Sequence, residues 1–449
     1  MFQRTILERL DEWSASSHRK PLVLRGARQV GKTTVISIFS KKFDQYIYLN
    51  LELSEDRKLF ENEFSPEELI TGIFFTKGMS RGSGKTLIFI DEIQNSPVAV
   101  SKLRYLYETD PGLFVIAAGS LLESLIDTHI SFPVGRVEFL ALRPVSFAEF
   151  IRAVEPQQTS SVLDSIPNPS YAHDLLLRLF RIYTLIGGMP EVIQKYSEDR
   201  DPGVAKPVFE SLIISYLDDV EKYARNPGMI QILRHTIKNS FYSAGRRIVF
   251  QGFGKSQYRS REMGEAFRIL EKAMLLQLIY PCTSAVLPFI PDVKKSPKVQ
   301  ILDTGMVNYF SGLQVELFGT PDLADFYQGR IAEHIVGQEL LASDFSVSGR
   351  LNFWIREKPQ SMAEVDFLVL HENLVIPVEV KSGSTGRLRS LHQFIDIAPH
   401  SFAIRISSGP MSIEKGKTIR GKAFFLLNLP FYLTGNIERC IKWFLGKVG

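Results

Sequence analysis

Cysteine is nearly absent from this 449-residue chain: Cys282 and Cys440 stand alone and far apart. Two such thiols exclude a disulfide framework and any metal cage built on cysteine, and they fit a reducing cytoplasm. Long apolar runs are missing as well. No stretch approaches the ~20 residues a membrane span needs, and the longest, "AFFLLNLPFYL", is interrupted by Asn428 and Pro430. The opening "MFQRTILERLDEW" is charged and apolar at helical spacing (Phe2, Ile6, Leu10, Trp13), which predicts an amphipathic helix and neither a signal peptide nor an anchor. Charge of one sign is scarce: 53 basic against 49 acidic residues leave +4, an excess that permits an anionic partner without demanding one. Internal repeats and low-complexity tracts are also lacking. What remains is 45% apolar and 23% charged, a globular composition in a chain too long for one ordinary core, so two or three domains are expected.

The strongest motif lies near the start. "PLVLRGARQVGKTTVISIF" holds Gly26, Gly31, Lys32 and Thr33 in the G-x-x-x-x-G-K-[ST] pattern, between a short apolar strand and a helix predicted to begin near Lys32. Phosphate binding requires that context. Glycines let backbone N–H groups turn inward around phosphate oxygens, and the helix N-terminus assists them. Gly26, Ala27, Arg28, Gln29, Val30, Gly31, Lys32, Thr33 and Thr34 are therefore the expected ATP-binding segment. Lys32 is placed for the β- and γ-phosphates and the Thr33 hydroxyl for Mg²⁺. A second "GSGKT" at Gly82 to Thr86 has Met79 where the leading glycine belongs and precedes a strand, so it reads as a turn.

That strand, "TLIFI", runs into Asp91 and Glu92. An apolar run ending in two acids suits a buried parallel strand whose carboxyl end reaches a ligand crevice. Asp91 is expected to hold Mg²⁺ through water, and Glu92 to orient or activate the hydrolytic water. The next strand, "LFVIAAGS", ends at Ser120, whose hydroxyl suits either a γ-phosphate sensor or a plain helix N-cap. "SFPVGRVEFLALRPVSFAEF" follows. With these residues in order, the chain resembles the AAA-type ATPases of prokaryotes that carry "GxRQVGKT", "DEIQ", "GS" and "GR…L-x-P-x-SF-x-EF". The resemblance implies an arginine after the sensing strand that acts in trans across an oligomer or as an interdomain sensor, and Arg136 stands there. A surface salt bridge is the other reading of Arg136.

Residues from about 146 to 223 are expected to be helical, broken by "IGGMPEVI"; "GG-x-PE" and the Asp-containing "SYLDDVEKYA" extend the resemblance. Two amphipathic helices follow, "MIQILRHTIKNSF" and "REMGEAFRILEKAMLLQLIYP", and then a basic-tipped hairpin around "IPDVKKSPK", the order of a winged helix. Arg259, Arg261, Arg268, Lys272, Lys294 and Lys295 are candidates for DNA phosphates there, although interleaved Glu262, Glu265 and Glu271 equally suit a solvated face.

"AEVDFLVLHENLVIPVEVKSG" predicts a hairpin of two apolar strands with Asp366, Glu379 and Lys381 set into it. Acid-x-Lys by itself says little, since roughly three are expected by accident in a chain this size. Asp56–Lys58 and Asp292–Lys294 fail on context. If the turn centres between Glu372 and Asn373, Leu370 faces Val375, Asp366 faces Glu379 and Glu364 faces Lys381. Opposed carboxylates repel unless a proton or divalent cation lies between them. A structural ion cluster is the competing reading. "E…D…E-x-K" resembles the PD-(D/E)xK restriction-endonuclease-like fold, which supplies the C-terminal domain of the same ATPase family. The resemblance implies Glu333 (with Glu339 a weaker candidate), Asp366 and Glu379 as Mg²⁺ ligands and Lys381 as the residue that positions and activates water. Val365 replaces the proline of the family name.

The expected architecture is α/β multidomain: a P-loop parallel-sheet ATPase domain over 1–150, a helical lid over 151–225, a winged-helix-like unit over 226–310 and a nuclease-like α/β domain over 311–449. The expected function is a cytoplasmic ATPase using ATP and Mg²⁺, whose nucleotide state controls a DNA-directed C-terminal module. Its alternative is a nucleotide-gated interaction protein whose nuclease-like domain is inactive.

Overall fold

Five apolar runs, each ended by a polar or glycine-bearing turn, make the first sheet: β1 (Leu22–Arg25), β2 (Gln45–Asn50), β3 (Thr86–Asp91), β4 (Phe114–Gly119) and β5 (Glu138–Ala141). All pairs are parallel, in the order β2-β3-β4-β1-β5. β3 and β4 are buried along their whole length, because helices cover both faces. The computed structural model describes residues 2–119, 135–312, 329–358, 361–381 and 388–448, and Ser120 lies outside the described residues.

The predicted first helix is present at Ile6–Ala15 with Ile6, Leu10 and Trp13 buried. Helices Phe147–Val154, Gln157–Asp164, His173–Ile186, Pro190–Asp199 and Ala205–Tyr223 form the helical middle. "SFAEF" has a local reason. Ser146 and Glu149 close a capping box on helix Phe147–Val154, and Glu149 also accepts from the Thr5 N–H at 2.6 Å and pairs with Arg4 at 3.1 Å. Helices Pro227–Tyr242 and Ser260–Lys272 then lead into β6 (Leu276–Ile279), β7 (Pro281–Cys282) and β8 (Lys298–Ile301), with β6 and β8 antiparallel.

Past helix Arg330–Ala342, β9 (Phe353–Lys358) and β10 (Ser361–Val365) join β7 in a small sheet. β11 (Phe367–His371), β12 (Leu374–Val380), β13 (Phe402–Ser407), β14 (Ser412–Lys417) and β15 (Ala423–Pro430) form a mixed sheet in the order β11-β12-β13-β15-β14. The hairpin register is the predicted one, Leu370 opposite Val375 and Phe367 opposite Val378. Glu364 does not face Lys381, however. The chain changes sheets at Asp366: β10 pairs with β9, Glu364 against Ile355, while β11 pairs with β12. A residue on one sheet therefore cannot continue the other sheet's register.

Buried polar contacts tie the three regions together. The Tyr183 hydroxyl and the Phe147 N–H donate to Glu339 Oε1 at 2.7 and 3.0 Å. Glu339 is thus a hub between helices of the middle and the C-terminal region, not a neighbour of the hairpin acids. Asp303 accepts from the Gly188 N–H at 2.6 Å and the Met306 N–H at 3.0 Å. Gly187 sits at φ 74°, and a Cβ there would lie 2.2 Å from Asp303 Oδ1, so the first glycine of "GG-x-PE" admits this carboxylate.

Candidate functional site: P-loop cleft and C-terminal acid cluster

β1 delivers the loop to the crevice at the carboxyl ends of the parallel strands, where helix Lys32–Phe39 begins. Gly31 takes φ 94° at the helix cap, a conformation that favours glycine. The Lys32 amine donates to Gly26 O and Ala27 O at 2.9 Å each. Burial pushes its pKa down, against the pull of Glu92 and Asp91. The Thr33 hydroxyl donates to Asp91 Oδ2 at 2.7 Å, and the Tyr48 hydroxyl approaches the same oxygen at 3.3 Å. Burial, and then the Asp91 charge, push Tyr48 up to about 12. Glu92 adopts φ 51°, and the Gln94 side-chain amide donates to it. "DEIQ" is therefore a local unit in which the glutamine holds the glutamate.

Gly31, Lys32, Thr33 and Glu92 line a cleft of about 760 Å³, together with Arg28, Gln29, Thr34 and Glu191. Ala27 and Val30 instead bury their side chains in the core, so only their backbone belongs to the loop's surface. The loop is clasped from two sides. Both Asp219 oxygens on helix Ala205–Tyr223 receive the Arg28 guanidinium at 2.5 Å, and the Tyr216 hydroxyl donates to Arg28 O at 3.1 Å. From the first helix's side, Arg4 donates to Val30 O at 3.1 Å. Asp219 and Arg4 carry no loop motif of their own; the Asp-rich helix was visible in the sequence, but its contact with the loop was not. The adjacent Thr33 hydroxyl and Asp91 carboxylate are hard oxygen donors and fit Mg²⁺. Arg136 pairs with Glu108 with most of its side chain exposed, which is the surface-salt-bridge arrangement.

The second site brings Glu333, Asp366 and Glu379 of the sequence pattern near one another, together with Glu364 and a residue the pattern did not suggest. Lys298 on β8 is 5% exposed. Its amine lies 3.1 Å from Glu333, 2.7 Å from Glu364 and 4.0 Å from Asp366. Burial alone would lower the Lys298 pKa, yet Glu333, Asp366 and Glu364 hold it above the ordinary range. Lys381 lies 2.6 Å from Glu379. Asp366 accepts from the Val380 N–H at 2.8 Å. Burial and then Asp366 push Glu333 up to about 7 and Glu379 up to about 8. Among the described residues no three His, Cys, Asp or Glu side chains are placed to hold a metal ion together. With an ammonium between the acids, the cluster as arranged does not fit an Mg²⁺ ion on Glu333, Asp366 and Glu379. The available signal was a lysine heading the short strand "KVQI", a residue type rarely buried without a carboxylate partner.

Of the basic residues in the middle region, Arg259, Arg261, Arg268 and Lys294 are exposed, and Arg268 with Lys272 also lines a separate cleft against the ATPase sheet.

Residues 18–151 match the family described as an AAA domain. Residues 177–317 and 328–429 match two domains of unknown function, DUF8612 and DUF4143. No curated protein matches the chain. Among solved structures, the chain is similar to the Walker-type ATPase PABY2304 of Pyrococcus abyssi, at 15% identity and a TM-score of 0.44, over 69% of this chain and 96% of that one. It is also similar to the Aeropyrum pernix Orc1 protein in complex with DNA, at 14% identity and a TM-score of 0.26, over 68% and 91%. The Thermotoga maritima RuvB Holliday junction branch migration motor gives 15% and 0.24, over 65% and 93%. No described helix is long and apolar enough to cross a membrane. The N-terminal region of this chain is an AAA-type P-loop ATPase domain.

Proposed function

We propose that the chain is an ATP-hydrolysing switch in which the nucleotide state of the P-loop sets the position of the helical lid and, through it, of the C-terminal module. The observation that carries this reading is the Arg28–Asp219 pair, which joins the phosphate loop itself to the lid helix. Lys32 and the loop N–H groups bind the phosphates, Thr33 and Asp91 hold Mg²⁺, which neutralises phosphate charge when bound, and Glu92 orients water. The lid reaches the C-terminal helix through Tyr183 and Glu339. DNA is the partner assigned to the exposed Arg259, Arg261 and Lys294. In this reading the acid cluster is an ion-paired contact between β8 and the hairpin, and the C-terminal domain acts by docking.

A second reading, DNA cleavage after a divalent ion displaces Lys298 from the acids with Lys381 beside them, draws on one observation. Glu379 Oε2 is buried without a hydrogen-bond partner. Hydrogen exchange with and without ATP tests the switch. ATP should change protection in helix Ala205–Tyr223 and helix Arg330–Ala342 of the wild type and change neither in Lys32→Ala. Protection changes confined to the P-loop would leave an ATPase without coupling, and plasmid cleavage in Mg²⁺ and ATP would favour the second reading.

A further inference from the structure

β2, the edge strand of the first sheet, sends one aromatic side chain to the acid of the ATP site. It runs parallel to β3 with Tyr48 opposite Phe89 and Asn50 opposite Asp91. Paired residues share a face, and so do residues two apart on one strand, so Tyr48, Phe89 and Asp91 lie on the same side of the sheet. The Tyr48 ring stacks on Phe89 with centroids 5.7 Å apart and planes at 29°, and Tyr46 stacks on Tyr48 at 6.5 Å and 30°. Three rings in a row fix the direction of the phenol. Its hydroxyl ends 3.3 Å from Asp91 Oδ2, and because an ionised carboxylate only accepts, the phenol donates. Asp91 itself is 5% exposed and is held at both oxygens. The Thr33 hydroxyl shares Oδ2 with Tyr48, at 2.7 Å, and the Glu92 N–H donates to Oδ1 at 3.0 Å.

We propose that Tyr48 is a positioning residue of the ATP site: its hydroxyl fixes the Asp91 carboxylate toward the divalent ion that accompanies the nucleotide. The proposal rests on the ATPase reading above. Stacking on Phe89 asks only for a ring, which phenylalanine would supply; the hydroxyl is what the acid uses. Tyr48 is not among the described residues that line the nucleotide cleft, so it acts through Asp91 and not on the nucleotide. The other two groups on Asp91 have further tasks. Thr33 offers its own oxygen to Mg²⁺, and Glu92 carries the carboxylate that orients water. Orientation of the acid is the task left to the tyrosine. Hydrogen-bond partners behind a metal-binding group typically contribute roughly 10–100-fold to metal affinity, and a contact as long as 3.3 Å belongs at the low end.

Mn²⁺ is the probe in place of Mg²⁺, followed by the electron paramagnetic resonance signal of the free ion in full-length protein that is in slight excess over ADP. Tyr48→Phe keeps the ring stack and should weaken Mn²⁺ binding about tenfold. ADP affinity in excess EDTA and the metal-free melting curve should match the wild type, since those are the quantities a merely structural role would move. Tyr46→Phe removes a hydroxyl one ring further back and should leave Mn²⁺ binding as it is. Unchanged Mn²⁺ binding in Tyr48→Phe, an equal loss in Tyr46→Phe, or an equal loss of ADP in EDTA overturns the proposal. Thr33→Ala separates that failure from failure of the ATPase reading. A wild-type Mn²⁺ site that Thr33→Ala abolishes and Tyr48→Phe spares removes the role of the tyrosine alone. Absence of any Thr33-dependent site in the wild type removes both.

Discussion

Carboxylates separate by role according to what each one touches. Glu92 lines the cleft and is held by Gln94, so its substitution should affect chemistry and not binding. Glu92→Gln is expected to keep ATP affinity within a few fold while turnover falls by about 10²-fold or more, the range for loss of a general base. Fluorescent-nucleotide titration beside a phosphate-release assay separates the two, and an equal loss of binding would reverse the assignment. Glu339 is the contrasting case. Burial holds its proton up to about 7 in the folded protein, with Tyr183, Phe147 and the nearby Glu149 charge around it. A group that binds protons more tightly when folded contributes stability that is full below its unfolded value, near 4.5, and lost as pH rises through the folded value. Asp303, pushed up to about 6, and Glu333 and Glu379 act in the same direction. Glu339→Gln keeps an oxygen for Tyr183 and Phe147 but no longer ionises. Relative to wild type it should gain on the order of 1–3 kcal/mol between about pH 5 and pH 7.5 in urea unfolding. A difference that stays flat with pH would remove Glu339 from the titrating set.

Elements carry what periodicity shows, and lose what only packing creates. The strand before Gly26, the acid-ended β3, the capped helix after Ser146 and the register of the β11–β12 hairpin were all legible, because each is written in neighbouring residues. The clasp on the P-loop was not. Asp219 lies 191 residues from Arg28, and no local pattern links them. Asp219 is 4% exposed, while the Arg28 side chain is 39% exposed, so the pair is screened on one side only. Arg28→Ala still leaves Asp219 paired with Lys222 at 3.1 Å, and should cost about 1–2 kcal/mol, below the range for a fully buried pair. Combined with Asp219→Asn the loss should be smaller than the sum of the two single changes. A double-mutant cycle on urea midpoints measures this, and strict additivity would mean that lid and loop are not energetically joined.

At the scale of the whole molecule, the sequence placed Glu333, Asp366, Glu379 and Lys381 in one site but not the cation that fills it. β8 lies far from the hairpin in sequence, and only the packing of the middle region against the C-terminal sheets brings Lys298 among the acids. An ammonium at that position does electrostatically what a divalent ion would do, so the two compete for one place. Wild-type melting should therefore be insensitive to millimolar Mn²⁺. Lys298→Met removes the cation while keeping much of the apolar stem, and should cost about 2–4 kcal/mol, discounted from the fully buried case because Glu333 and Glu364 keep some solvent contact. In that variant the repelling carboxylates are open to a metal. Mn²⁺ should raise its melting temperature by mass action on the folded state, and Asp366→Asn added to it should reduce the rise. A wild-type melting curve that climbs with Mn²⁺ while Lys298→Met loses the response would reject the substitution of lysine for metal and return the cluster to the nuclease reading.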